Sequence, residues 1–180
     1  MKRRVVSDLP ARQFFALASL LGTAGLDPAA HLGDALKSKP KTIHHPAIRA
    51  DQAGAFLIRL GYHDCAVETR VGIELAALTV TRTTELRFGD WAEFECLDEP
   101  ERAMWRIPPE RMKMNEEHLV PLLRQAVKLL LTLPSASRRG GKLFPSHGGE
   151  GVMSNNTMLY AIYDMDYKGP MTTHGFRSLF

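Results

Sequence analysis

Four basic side chains stand at the ends of the elements this sequence predicts, and as a set they suit phosphate. Arg82 closes an apolar stretch and precedes the polar turn TTEL, so its guanidinium projects from a fixed base. Lys113 lies in RMKM, the tip of an expected hairpin, where Met112 and Met114 partly desolvate it. His174 and Arg177 are three residues apart in an incipient helix, which puts both on one face. Arginine forks clamp non-bridging oxygens, a lysine protonates a leaving oxygen, and a histidine moves or holds a proton. These are the parts of a phosphoryl transfer that uses no metal. Taken singly, each residue is more economically a solvated charge or a satisfied polar group.

The elements that must position them follow from periodicity. Residues 11–26 read as an apolar helix ending near Gly25, and KSKPKTIHHPAI, basic and twice interrupted by proline, reads as a linker. Asp51 is expected to cap a helix through AGAFLIRLGY, and a longer helix, from Val67 to Thr79, is apolar on most sides. From Trp91 the texture changes. FECL, AMWRIP and HLVPL are short apolar segments separated by charged turns, which predicts a small antiparallel sheet of three strands. Helical pattern returns from Leu122 to Leu133, and a Gly- and Ser-rich loop follows. Ser154 then caps a helix through NNTMLYAIYDM, and THGFRSLF begins one more. The fold class expected is α+β, mainly α-helical.

Bulk properties exclude more than they assign. A chain of 180 residues is long enough for one real core, and its composition, 44% hydrophobic and 24% charged, is ordinary. The net charge of +3 is compatible with a polyanionic partner and decides nothing alone. Cys65 and Cys96 stand apart, which makes neither a disulfide framework nor a zinc site and suits the cytoplasm. No apolar run is long enough to span a bilayer, and Asp8, Pro10, Arg12 and Gln13 interrupt what would otherwise imitate a signal peptide. GGEGVMSN lacks the ending of a P-loop, His44 and His45 read as solvated linker histidines, and Trp91 and Trp105 read as anchors of the sheet.

Three ordered blocks carry a resemblance. LTVTRTTELRFGDW resembles the first arginine box of the tyrosine site-specific recombinases, ERMKM before HLVPL resembles the hairpin lysine region of their phage-integrase type, and FPS, MSNNTMLYAIYDM and MTTHGFRSLF are similar to the approach to their H-x-x-R box. The resemblance covers residues 43–180, a recombinase catalytic domain. Residues 1–42 are similar to the last helix of a core-binding domain and its linker. It implies that Arg82 and Arg177 hold the scissile phosphate of duplex DNA at attachment sites. It makes Lys113 the acid for the leaving 5′-oxygen, gives His174 proton movement or phosphate positioning, and makes Glu85 an orienting group.

The resemblance also implies self-association on DNA and a reaction without cofactor or metal. The chain departs from the pattern at Val80, where the family has glycine. It also ends before the family's nucleophilic tyrosine, since Tyr62, Tyr160, Tyr163 and Tyr167 all precede the H-x-x-R box. Two readings follow: an incomplete recombinase domain, inactive alone, or a non-catalytic DNA-binding remnant of an integrase.

Overall fold

Apolar residues at helical spacing in AGAFLIRLGY fold into α1 (Ala53–Tyr62), which buries Phe56 and Leu60 completely. This computed structural model describes residues 20–22, 45–112, 114–138, 140–146, 148 and 151–179. The chain divides into two compact units, Met1–Ile43 and His44–Phe180, and α1 belongs to the second, with the sheet and the helices around it. The expected helix over 11–26, the linker to residue 42, His44 and Lys113 lie outside the described residues.

The second helix, α2 (Val67–Thr79), buries Val71, Ile73, Leu75 and Ala76. It touches α1, the short helix α3 (Thr83–Arg87), α4 (Arg124–Leu131), α5 (Thr157–Ile162) and the closing 3₁₀ turn Thr173–Ser178. A helix with so many neighbours can bury side chains all round, and each large one removed from water contributes about 1.5–3 kcal/mol. This explains why the sequence from 67 to 79 shows little amphipathic contrast.

Strands β1 (Phe94–Glu95), β2 (Met104–Ile107) and β3 (His118–Pro121) form an antiparallel sheet in the order β1–β2–β3. Phe94 and Val120 stand opposite Trp105, whose ring is 1% exposed and stacks on Phe94 at 5.2 Å. The α+β class and the three-stranded sheet are as expected, and both tryptophans are buried at the sheet.

Several local expectations need correction. Asp51 caps nothing: its carboxylate accepts from Arg49 Nε at 3.2 Å, and a 3₁₀ turn, Ala50–Gln52, precedes α1. TTEL is not a turn but the start of α3, because the Glu85 carboxylate caps the first N–H of the segment. Ser154 does not cap α5, whose N-cap is Asn156. Its hydroxyl accepts from the Asn156 amide at 3.4 Å instead, two residues too early. The expected helix from Leu122 to Leu133 shortens to α4 because Leu122 still bonds to Ala103 as an extension of the sheet edge.

Candidate functional site

The site begins with a backbone reversal. Val80, the C-cap of α2, has φ 53° and ψ 23°, the left-handed region. A β-branched residue is strained there by about 1–2 kcal/mol, which is where glycine would rest without cost. The reversal presents the Val80 carbonyl to Arg177, whose Nη1 donates to it at 2.8 Å. Two residues later comes Arg82. One turn therefore sets the places of two arginines far apart in the sequence.

Arg82 is held from below. Its amide donates to Glu85 Oε2 at 2.8 Å and its guanidinium pairs with Oε1 at 2.5 Å. The Glu85 side chain is 4% exposed and that of Arg82 39%, so the acid is buried beneath and the fork remains open to solvent. A planar fork held on one edge keeps its other N–H groups for an anion.

His174 arrives on the closing 3₁₀ turn, whose first residues are fixed by the Gly175 amide donating to Thr172 Oγ1 at 3.2 Å. Arg82, Thr83, Asn155, Thr172 and His174 line one cleft of about 290 Å³, and His45 joins them. Burial pushes the His174 imidazole below its ordinary 6.5. The charges of His45, Arg177 and Arg82 push the same way, and Glu85 opposes them. A histidine lowered in this way favours its neutral form near pH 7. His45 is exposed, as sequence reading expected, but its place at the cleft was not foreseen. The nearest clue is Gly175, a small residue inside a turn that another segment approaches closely.

Lys113 itself is not described, but the base of its hairpin is. Arg111, two residues before it, pairs with the Glu93 carboxylate and donates to the Glu85 carbonyl. Glu93 also accepts from Trp105 Nε1 at 2.9 Å. Arg111 and Glu93 are 18% and 11% exposed. A continuous chain of hydrogen bonds thus runs from the sheet, through Arg111, to the residue that holds Arg82. Sequence reading missed both members of this pair, since an arginine and a glutamate in separate charged turns look like surface residues. Of the loop cations, Lys142 lies 3.4 Å from Asp90. Tyr62, Tyr160, Tyr163 and Tyr167 do not line the cleft. Among the described residues no group of three or more His, Cys, Asp or Glu gathers as a metal would require. No described helix is long and apolar enough to cross a membrane.

Comparison with known proteins gives the site a context. No family model matches the chain. The integrase of Enterobacteria phage P4 is 39% identical over 168 residues, which is 85% of this chain and 37% of that protein. The prophage integrase IntZ of Escherichia coli K12 is 32% identical over 171 residues, 93% of this chain and 40% of IntZ. Among solved structures, the XerH site-specific recombinase bound to its difH substrate superposes with a TM-score of 0.60 at 15% identity, covering 96% of this chain and 58% of that one. A lambda integrase dimer bound to a COC′ core site gives 0.57 at 16%, covering 94% and 48%. At these identities the structures speak for the fold, and the chain spans about two-fifths of the two curated relatives.

Proposed function

We propose, from the premise that this chain belongs to the tyrosine site-specific recombinases of phage-integrase type, that its cleft grips the scissile phosphate of duplex DNA during integration or excision. The observation that carries this is the joint placement of Arg82 and His174 in one cleft, with Arg177 fixed to the carbonyl two residues before Arg82. Arg82 and Arg177 hold the non-bridging oxygens and stabilise the charge that develops on them. Lys113 protonates the 5′-oxygen as it leaves, His174 positions the phosphate or moves its proton, and Glu85 orients Arg82. In the intact family member a tyrosine hydroxyl attacks phosphorus, the 5′-oxygen departs with the proton, and the 3′-phosphotyrosyl link keeps the bond energy for rejoining; these 180 residues alone are inactive. No cofactor enters these steps. Partner molecules of the whole protein are attachment-site DNA and further copies of itself, in the cytoplasm. Residues 1–42 are the end of a core-binding domain with its linker, and 43–180 the catalytic domain.

A second reading is a non-catalytic DNA-binding remnant of an integrase, which keeps the phosphate grip alone; the four tyrosines of these 180 residues do not line the cleft. One pair of experiments tests both. Titration of the full chain with a short duplex is expected to give salt-dependent binding. In Arg82→Ala or Arg177→Ala the slope of log K against log salt should shrink by roughly 0.9 for each phosphate the variant no longer neutralises. Unchanged slopes in both variants refute the phosphate grip. Incubation with a nicked suicide duplex, then denaturing electrophoresis, separates the readings: the chain alone is expected to give no covalent adduct, and supplying the tyrosine-bearing segment of a relative should restore one under the first reading and not under the second.

A further inference from the structure

The stretch that opens the second unit runs against the turn carrying His174. Thr172 Oγ1 donates to the Pro46 carbonyl at 3.4 Å, and Ile48 is 7% exposed, packed into the core. The approach is close enough that a Cβ on Gly175 would meet the Pro46 oxygen at 2.4 Å and Ala47 Cα at 3.2 Å. His45 is therefore not a free linker residue, because the packing of the next three residues fixes where its backbone lies. Its ring centroid sits 4.4 Å from that of His174, tilted by 56°, and both rings line the cleft with Arg82. Among the described residues neither imidazole has a hydrogen bond to protein, so their ring nitrogens are left for whatever enters the cleft.

We infer that His45 is a second imidazole of the anion site, a positioning residue that buttresses the His174 ring and offers its own N–H to the same phosphate. The inference rests on the reading of the cleft as a phosphate site and adds a residue to it. Its chemistry follows from what faces His174: His45 from the opening stretch, Arg82 and Glu85 around α3, and Arg177 from the same turn. Glu85 is already engaged with Arg82, so the surroundings of the His174 ring favour its neutral form while the cleft is empty. A phosphate reverses that balance. It accepts from imidazolium N–H groups, so its binding draws a proton onto His174, and the neighbouring His45 ring offers a further N–H to the same oxygen atoms. A tilted ring in contact also restrains the orientation of the His174 ring, which is what a group poised at a phosphate requires.

The test is an NMR titration of the histidine rings in the full chain, for wild type, His45→Phe, His45→Ala and Arg82→Ala. Each is measured with no addition, with inorganic phosphate and with a short DNA duplex. His45→Phe keeps a ring against His174 and removes its nitrogens, so it remains informative should His45→Ala disturb the fold. Expected are an upward displacement of the His174 titration by phosphate or duplex in wild type, and about tenfold weaker binding of the same probe below pH 6.5 in both His45 variants, from loss of one charge-assisted hydrogen bond. The unliganded His174 titration should also rise in both, since one of the groups lowering it is gone. A response to the duplex but not to free phosphate assigns the site to the diester, and a response to both to phosphate generally; each supports the inference if it weakens in His45→Phe. Should His45→Phe bind as wild type with an unmoved His174 titration, while Arg82→Ala loses binding, the role of His45 is overturned and the phosphate cleft stands. Should neither probe move His174 even in wild type, both fall together.

Discussion

Gly175→Ala puts the contact between the two ends of the second unit under direct strain. The added Cβ would stand 2.4 Å from the Pro46 oxygen, 3.1 Å from Met171 Sδ and 3.2 Å from Ala47 Cα. The sulfur can swing away, but two of the three neighbours are backbone. To relieve the contact with Pro46 the turn and the opening stretch must separate by roughly 0.6 Å or more, and overpacking a tight site costs about 1–3 kcal/mol. Because backbone must yield, a value near 2 kcal/mol is expected, which lowers Tm by about 4–10 °C for a unit of this size. The control is Gly54→Ala, on the exposed face of α1, where a Cβ meets nothing within 4 Å. There the same change should stabilise by about 0.4–1 kcal/mol, through reduced freedom of the unfolded chain and better helix propensity. Thermal and urea melts of the two variants beside wild type give the answer. If Gly175→Ala melts with or above wild type, the close approach of Pro46 is wrong, and so is the placement of His45 that depends on it.

Three further outcomes follow from the site. His174, lowered by burial and then by His45, Arg177 and Arg82, favours the folded state while neutral. Its contribution is therefore full above pH 6.5 and is lost as pH falls through the folded value. Melts from pH 7.5 down to roughly pH 5 should show wild type losing more stability than His174→Gln, and parallel curves would contradict the sign. Breaking the Arg111–Glu93 pair from either side should cost about 2–3 kcal/mol in urea unfolding, since both side chains are mostly covered. The double variant should cost less than the two single changes together, and strict additivity would mean that the pair does not couple. Val80→Gly should leave stability within about 1 kcal/mol of wild type, because relief of left-handed strain is offset by the freedom glycine adds to the unfolded chain. A loss well beyond that in melts would show that the Val80 side chain packs more than its backbone suffers.

What the sequence disclosed depended on whether the signal was local. Helix α2 was legible to its ends because a continuous apolar run between polar turns has one economical reading, and the strands because FECL, AMWRIP and HLVPL are short, apolar and bounded by charge. Caps were less legible. Asp51 and Ser154 are good cap residues by type, yet the helices begin one or two residues later, and a preceding 3₁₀ or polar turn uses the side chains first. At the candidate site, Arg82, His174 and Arg177 stood out as basic residues at element ends and Glu85 only through the family resemblance; of these, Arg82 and His174 line the cleft. His45, Glu93 and Arg111 did not stand out. The Arg111 contacts to Glu93 and Glu85 span 18 and 26 residues, and the stretch beside His45 meets the His174 turn across 126. No local periodicity encodes such meetings; they arise from how α2 gathers its neighbours.

The arginines around this site share an unusual kind of anchor. Arg177 rests on the carbonyl of Val80, Arg111 on that of Glu85, and Arg87 on that of Met153 at 2.7 Å. An acceptor made of main chain belongs to no particular amino acid, so no substitution at those three positions can delete it while the backbone keeps its course. Valine at position 80 could then give way to glycine without Arg177 losing its seat, whereas Glu85 is not free in this way, because its carboxylate also holds Arg82. The vulnerability is displaced to residues that shape the backbone path: a proline or an insertion between Thr79 and Arg82 would do more harm to Arg177 than any change of side chain beneath it.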